Sequence, residues 1–161
     1  MKIKFFTTGG TIDKVYFDAK SEFEVGSPQV SELLADANVT FKFEVESILR
    51  KDSLDMTDAD RGLVRERVAA DSAANIVVTH GTDTMIKTAL ALKNIEGKTI
   101  VLTGSMQPAR LRVTDAGFNL GTAVAAVQTL PPGVYLVMNG RIFAPERCQK
   151  NLADHRFEEI S

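Results

Sequence analysis

The sequence predicts a doubly wound α/β domain, with a mostly parallel sheet sandwiched between two layers of helices. Three observations predict it. Short β-rich runs alternate along the chain with stretches of helical period. One of those runs, Ile76-Val77-Val78, is β-branched throughout and suited to burial on both faces. Strands joined by helix-length connections pair in parallel, with right-handed crossovers. The 161 residues suit one domain with a single core, and no low-complexity linker divides them.

Taken in order, Lys2–Thr7 reads as the first strand, ending in the loop that holds Gly9 and Gly10. Ser27-Pro28 carries N-cap and first-turn chemistry, so a helix is expected from there to about Ala37. Thr40–Ile48 alternates Phe41, Phe43 and Val45 with polar partners, the pattern of a strand with one solvated face. Thr57 with Asp60 three residues on resembles a capping box, and Leu63, Val64 and Val68 give the helix that follows its buried stripe. Asn75–His80 is the next strand. A helix is expected to open near Thr82-Asp83 and run to about Glu96, with Gly97 as its stop. Thr99–Thr103 is a buried strand. Asp115–Leu130 is an Ala-rich helix closed by Pro131-Pro132-Gly133. Val134–Asn139 is the last core strand, followed by a short return near Arg141–Phe143. The segment Asp13–Gly26 mixes charges and aromatics without a period, and reads as a flexible lid or an ordered hairpin. The charged tail Asn151–Ser161 is open to fraying. The whole fits a three-layer, flavodoxin-like, Rossmann-type arrangement.

Composition narrows the function. With 44% hydrophobic and 25% charged residues the chain is an ordinary globular protein, and its net charge of −2 gives it no strong attraction for nucleic acid or anionic membrane. The opening apolar residues reach Thr7 before a signal-peptide core forms, and no later run is long enough to span a bilayer. Cys148 is the only cysteine, which excludes an internal disulfide and a thiolate metal cluster. These features imply a cytoplasmic protein.

In a doubly wound sheet, ligands bind beyond the carboxyl ends of the strands at a topological switch point. That rule nominates the loops after Thr7, Ile48, His80, Thr103 and Asn139. The first reads Thr7-Thr8-Gly9-Gly10-Thr11-Ile12. Its glycines allow close backbone approach and amide N–H groups aimed at a developing negative charge, but it matches no nucleotide-binding motif. The second carries Asp52-Ser53-Leu54-Asp55-Met56, where Ser53 suits a polar substrate. The third, Thr79-His80-Gly81-Thr82-Asp83-Thr84-Met85, places Thr82 and Asp83 where a strand gives way to a helix; either also suits a plain N-cap. His80, at a strand end, reads as a satisfied structural histidine rather than a base. Lys150 follows the last region, where a lone lysine is ordinarily solvated. Together, hydroxyl, carboxylate and ammonium groups gather at one sheet edge. A threonine hydroxyl becomes a nucleophile only when something takes its proton, and a lysine beside a carboxylate suits that proton traffic.

These segments resemble the bacterial-type L-asparaginases. Four of them match that family's pattern in order, the last being the strand end Val137-Met138-Asn139 leading to Lys150. The likeness covers this chain and the N-terminal domain of a typical member. It implies hydrolysis of L-asparagine to L-aspartate and ammonia through a threonine nucleophile and an acyl-enzyme. Thr11 then resembles the nucleophile and Tyr16 the tyrosine that closes over it. Thr82, Asp83 and Lys150 resemble the second catalytic group. Gly10, Ser53, Leu54, Thr82 and Asp83 resemble the substrate-binding positions. No metal or organic cofactor is implied. The resemblance also marks two departures: the sequence stops at Ser161, without the family's usual second domain, and Leu54 stands where some members have glutamine. A homo-oligomer, dimer or tetramer, is expected to restore the enclosure of the site. The competing readings are a glutaminase or mixed asparagine/glutamine amidase, and a catalytically silent module that binds an acidic amino acid.

Overall fold

The computed structural model describes Met1–Ser161. Ten strands and four helices follow in the order β1 (Lys2–Gly9), β2 (Lys14–Phe17), β3 (Glu22–Val25), α1 (Val30–Asp36), β4 (Lys42–Lys51), α2 (Asp58–Ala70), β5 (Asn75–Thr79), α3 (Met85–Ala91), β6 (Thr99–Thr103), α4 (Ala116–Thr129), β7 (Gly133–Met138), β8 (Arg141–Phe143), β9 (Cys148–Asn151) and β10 (Arg156–Glu159). The main sheet has the order β4-β1-β5-β6-β7-β8. Its first five strands are parallel, and β8 turns back antiparallel on β7. The chain leaves β1 toward β4 on one side and returns to β5 on the other, so the switch point lies between β1 and β5. The expected doubly wound α/β class is what the structure has.

Strand alternation divides the core in two. Phe6, Ile76, Val78, Ile100, Leu102, Leu136 and Met138 face one way, toward Val64 and Val68 of α2, Met85 and Ala89 of α3, and Leu92 at the C-terminal cap of α3. Ile3, Phe5, Val77, Val101 and Val137 face the other, toward Val30 and Leu34 of α1 and Leu120, Ala123 and Val127 of α4. Central strands buried on both faces explain the unbroken β-branched run of β5.

Several boundaries move, each for a local reason. The first helix starts at Val30, because the N–H of Gln29 is held by the carboxylate of Asp13 at 2.9 Å and not by Ser27. The Thr57–Asp60 capping box forms in both directions, at 3.2 and 2.9 Å. Leu63, expected in the buried stripe of α2, is exposed, and Arg61 is buried in that helix instead. The third helix is far shorter than expected. Residues 80–84 stay non-helical because their hydroxyls are used elsewhere: Thr84 Oγ1 donates to Ser53 O at 2.9 Å. The fourth strand extends to Lys51, beyond the expected Ile48.

The segment after Thr11 is an ordered hairpin, with β2 pairing β3 in antiparallel register from Lys14↔Val25 to Phe17↔Glu22. The tail is no frayed end. Within it β10 pairs with β9, and Phe157 is sealed into the main core. No helix is long and apolar enough to cross a membrane.

Candidate active site

The loops leaving the parallel strands meet at the switch point, and two glycines set how closely. Gly10 sits at φ +83°, a conformation that favours glycine, and its N–H donates to Lys51 O at 2.9 Å. A Cβ placed on it would lie 2.4 Å from the backbone nitrogen of Gly81. A Cβ on Gly81 would in turn lie 2.7 Å from Ser53 Oγ. The ends of β1, β5 and β4 are therefore stacked backbone on backbone. The residues that follow, Thr11 and Thr82, leave from adjoining points of that stack.

Around Thr11 the chain is pinned on several sides. The register of β1 against β4 shifts between Thr7 and Gly9, a bulge that re-aims the strand end. Thr8 Oγ1 donates to Thr79 O at 2.8 Å, and Ala109 N–H, from the loop after β6, donates to Ile12 O at 3.1 Å. Thr11 itself is half-buried.

Thr82 is buried, and Lys150 reaches it from the far side of the sequence. The Nζ of Lys150 lies 2.7 Å from Thr82 Oγ1 and 2.7 Å from Asp83 Oδ1. Its side chain is only 15% exposed, against 38% for Asp83, so the ion pair sits at the lip of the site rather than on open surface. The ordinary reading of Lys150 as solvated is thus overturned. Two features hold it there: Lys150 is the register partner of buried Phe157 in the β9–β10 hairpin, and Phe157 N–H donates to Asn139 Oδ1 at 2.8 Å. Asn139 takes the left-handed conformation, φ +54°, where the chain turns out of β7.

Ser53 is buried beneath Gly81, where its Oγ accepts Thr84 N–H at 3.3 Å. Asp52 beside it accepts Leu54 N–H at 3.1 Å and pairs with Lys14 at 3.0 Å, which ties the base of the β2–β3 hairpin to this turn. Burial pushes the Asp52 carboxyl up, but the Leu54 N–H, Lys14 and the charge of Lys150 together bring it below its ordinary range. Leu54 is 71% exposed and grips nothing. Tyr16 lies on β2, half-exposed, with its ring edge-on to Phe23 at 5.5 Å. So Thr82, Asp83 and Lys150 form one hydrogen-bonded cluster, Gly10 packs on Gly81 with Ser53 beneath it, and Thr11 follows directly on Gly10, while Tyr16 and Leu54 are exposed.

His80 is wholly buried, and burial pushes its imidazole down to about 4, so it is neutral at ordinary pH. Its structural role matches the expectation. Gly81 and Thr84 carry the loop geometry yet stand apart from the expected site residues. The signal available for Gly81 was its place between a strand-end histidine and two polar residues. The cluster reaches the surface at Asp83, with Thr82 buried behind it.

Comparison with known proteins decides the relationship. Residues 2–158 match the family model "Asparaginase, N-terminal". The chain belongs to the asparaginase family. Its relatives include a glutaminase-asparaginase of Acinetobacter glutaminasificans, 35% identical over 83% of this chain and 41% of the relative. The L-asparaginase of Thermococcus kodakarensis is 30% identical over the full chain and 52% of its own length, and its solved structure superposes with a TM-score of 0.82. A probable cytoplasmic L-asparaginase from Campylobacter jejuni superposes at 0.81 with 28% identity, over 98% of this chain and 52% of that one. The chain thus spans about half the length of the asparaginase-family relatives it matches.

Proposed function

We propose that this chain carries the hydrolytic residues of an L-asparaginase and cleaves the side-chain amide of L-asparagine to L-aspartate and ammonia. The observation that carries the reading is the single amine of Lys150, held at 2.7 Å from both Thr82 Oγ1 and Asp83 Oδ1 beside the Gly10–Gly81 contact. A lysine within hydrogen-bond reach of a hydroxyl, with a carboxylate to balance its charge, is a proton-transfer device, and a plain surface ion pair has no use for the hydroxyl.

The steps follow from the chemistry of the groups. The Thr11 hydroxyl adds to the amide carbon, and the negative charge that forms on the carbonyl oxygen is met by backbone N–H groups around Gly10–Thr11 and Thr82. The hydroxyl proton passes to the nitrogen, ammonia leaves, and an aspartyl ester of Thr11 remains. In the second half Thr82, held by the Lys150–Asp83 pair, orients an incoming water. The water oxygen adds to the ester carbon, its proton passes by way of Thr82 to the departing Thr11 oxygen, and aspartate leaves with the Thr11 hydroxyl restored. Ser53 and Asp83 bind the α-carboxylate and α-amino group of the substrate, Gly10 supplies backbone contact, and Tyr16 closes the rim. Leu54 lines the rim as an apolar neighbour.

The test is ammonia release from L-asparagine. Thr11→Val, Thr82→Val and Lys150→Met are each expected to lower kcat by about 10² to 10⁴-fold while the fold survives. Undiminished turnover in both threonine variants defeats the mechanism. The likeness to a glutaminase-asparaginase favours, as a second reading, an amidase acting on both substrates, so the assay is run in parallel on L-glutamine. Binding of L-aspartate with no ammonia release marks a silent binding module instead. The exposure of Asp83 beside Lys150 supports enclosure by a further copy of the chain in a homo-oligomer, which light scattering tests. A cytoplasmic location belongs to the same reading, in keeping with the naming of the Campylobacter relative.

A further inference from the structure

The buried imidazole of His80 has its two nitrogens bound to different elements, and together they fix its tautomer. Nδ1 lies 2.7 Å from Gly81 O, and Nε2 lies 2.7 Å from Thr88 Oγ1. A carbonyl oxygen only accepts, so Nδ1 carries the hydrogen. Nε2 is then a lone pair, and the Thr88 hydroxyl, which can donate or accept, donates to it. The ring therefore spans the loop 80–84 as a strut, from the end of β5 to the middle of α3. Both ends are anchored: His80 N–H donates to Thr103 O at 2.9 Å, and His80 O abuts Gly104 so closely that a Cβ there would lie 2.2 Å from it.

The consequence concerns the next peptide. No peptide bond in the chain is cis. In a planar trans peptide the C=O and the following N–H point in opposite directions. The strut draws Gly81 C=O inward, toward the buried ring. The N–H of Thr82 is thereby turned away from the ring, and it donates to no backbone carbonyl of the chain. We propose that His80 is a positioning residue, which holds the Gly81–Thr82 peptide so that the Thr82 N–H faces the crevice as a donor to the developing oxyanion. This rests on the asparaginase reading above and deepens it: the imidazole takes no proton from substrate and acts only through the orientation of one peptide plane. Its neutrality suits that task, since the strut keeps one donor and one acceptor at any pH well above 4.

The inference has two independent tests. In the kinetic one, His80→Leu removes both hydrogen bonds while filling the space, and His80→Asn keeps an amide N–H near the position of Nδ1. His80→Leu is expected to lower kcat on the order of 10²-fold with KM nearly unchanged, and His80→Asn to recover most of the loss. A folded His80→Leu protein with undiminished kcat, or one in which KM rises at constant kcat, overturns the assignment. In the second test, ¹⁵N NMR of the wild-type imidazole reports the tautomer without any variant having to fold. Nδ1–H with an unprotonated Nε2 from pH 5 to 9 is expected, and the opposite tautomer overturns the proposal even if the protein hydrolyses asparagine. A wild-type protein that releases no ammonia defeats the functional reading instead. In that case the positioning role is decided by L-aspartate titration: a shift of the Thr82 amide resonance that His80→Leu abolishes supports it, and no shift in the wild type overturns it.

Discussion

At the scale of single residues, glycines divide by what surrounds them. Gly10 and Gly81 have no room for a methyl group, because a Cβ on Gly10 would lie 2.4 Å from the Gly81 backbone and one on Gly81 2.6 Å from the Ser53 side chain, whereas Gly62 in α2 and Gly117 in α4 have no atom within 4 Å of such a group. Gly10→Ala is expected to destabilise by about 1–3 kcal/mol from the backbone conformation alone, before the clash with Gly81, and to abolish ammonia release. Gly62→Ala, in an ordinary helix interior, is expected to stabilise by about 0.5–1 kcal/mol with activity intact. Urea denaturation of the pair, with the ammonia assay alongside, checks both. Equal effects from the two substitutions would refute the claim that close approach is what demands glycine at position 10.

At the scale of elements, the β9–β10 hairpin delivers Lys150 and is itself held by one aromatic side chain. Phe157→Ala removes a ring that is 2% exposed in the core, and a loss of about 3–5 kcal/mol is expected. Turnover should fall by more than stability alone dictates, because Lys150 is its register partner and loses its anchor. The control is Leu152→Ala in the turn between the two strands, 70% exposed, where the change in stability should stay within about 0.5 kcal/mol. Normal turnover in folded Phe157→Ala protein would break the link between hairpin and site. The α2 cap offers a simpler case. Thr57→Ala is expected to cost about 1 kcal/mol in thermal or urea unfolding, since it leaves Asp60 N–H without its partner.

For the whole molecule, two buried groups give opposing dependences on pH. Burial raises the Asp13 carboxyl from 3.8 to about 7, against the pull of the Gln29 N–H and Arg50. Burial lowers His80 from 6.5 to about 4. Between about pH 4 and 6.5, unfolding releases a proton from Asp13, so that group makes stability fall as pH rises. Over the same window unfolding takes up a proton at His80, so that group makes stability rise with pH. Each slope is about 1.4 kcal/mol per pH unit, and they cancel. Above pH 6.5 only the Asp13 slope remains, and it ends as pH passes about 7. Asp13→Asn keeps an oxygen acceptor for Gln29 N–H and removes one arm of the balance. Its stability should therefore climb from pH 4.5 to 6.5, where the wild type stays nearly level. Urea unfolding at four pH values decides this, and parallel profiles for the two proteins would show that Asp13 does not titrate as its burial requires.

Local chemistry in the sequence determined the six strands of the main sheet, the α2 capping box and the glycine-bearing turns, because each depends on neighbours within a few residues, whereas β9 and β10 were not legible in it. Burial of both faces of the sheet was legible in Ile76-Val77-Val78, and the meeting of the loops after β1 and β5 followed from the rule for parallel sheets. The start of α1 was not legible, because its N-terminal partner is Asp13, sixteen residues away. Nor was the brevity of α3, whose opening residues spend their hydrogen bonds on Ser53. The burial of Lys150 was decided last, by Phe157 packing into a core built from the other end of the chain. What depends on local propensity is written in the sequence; what depends on a hydrogen bond or contact across thirty or seventy residues exists only once the chain has closed.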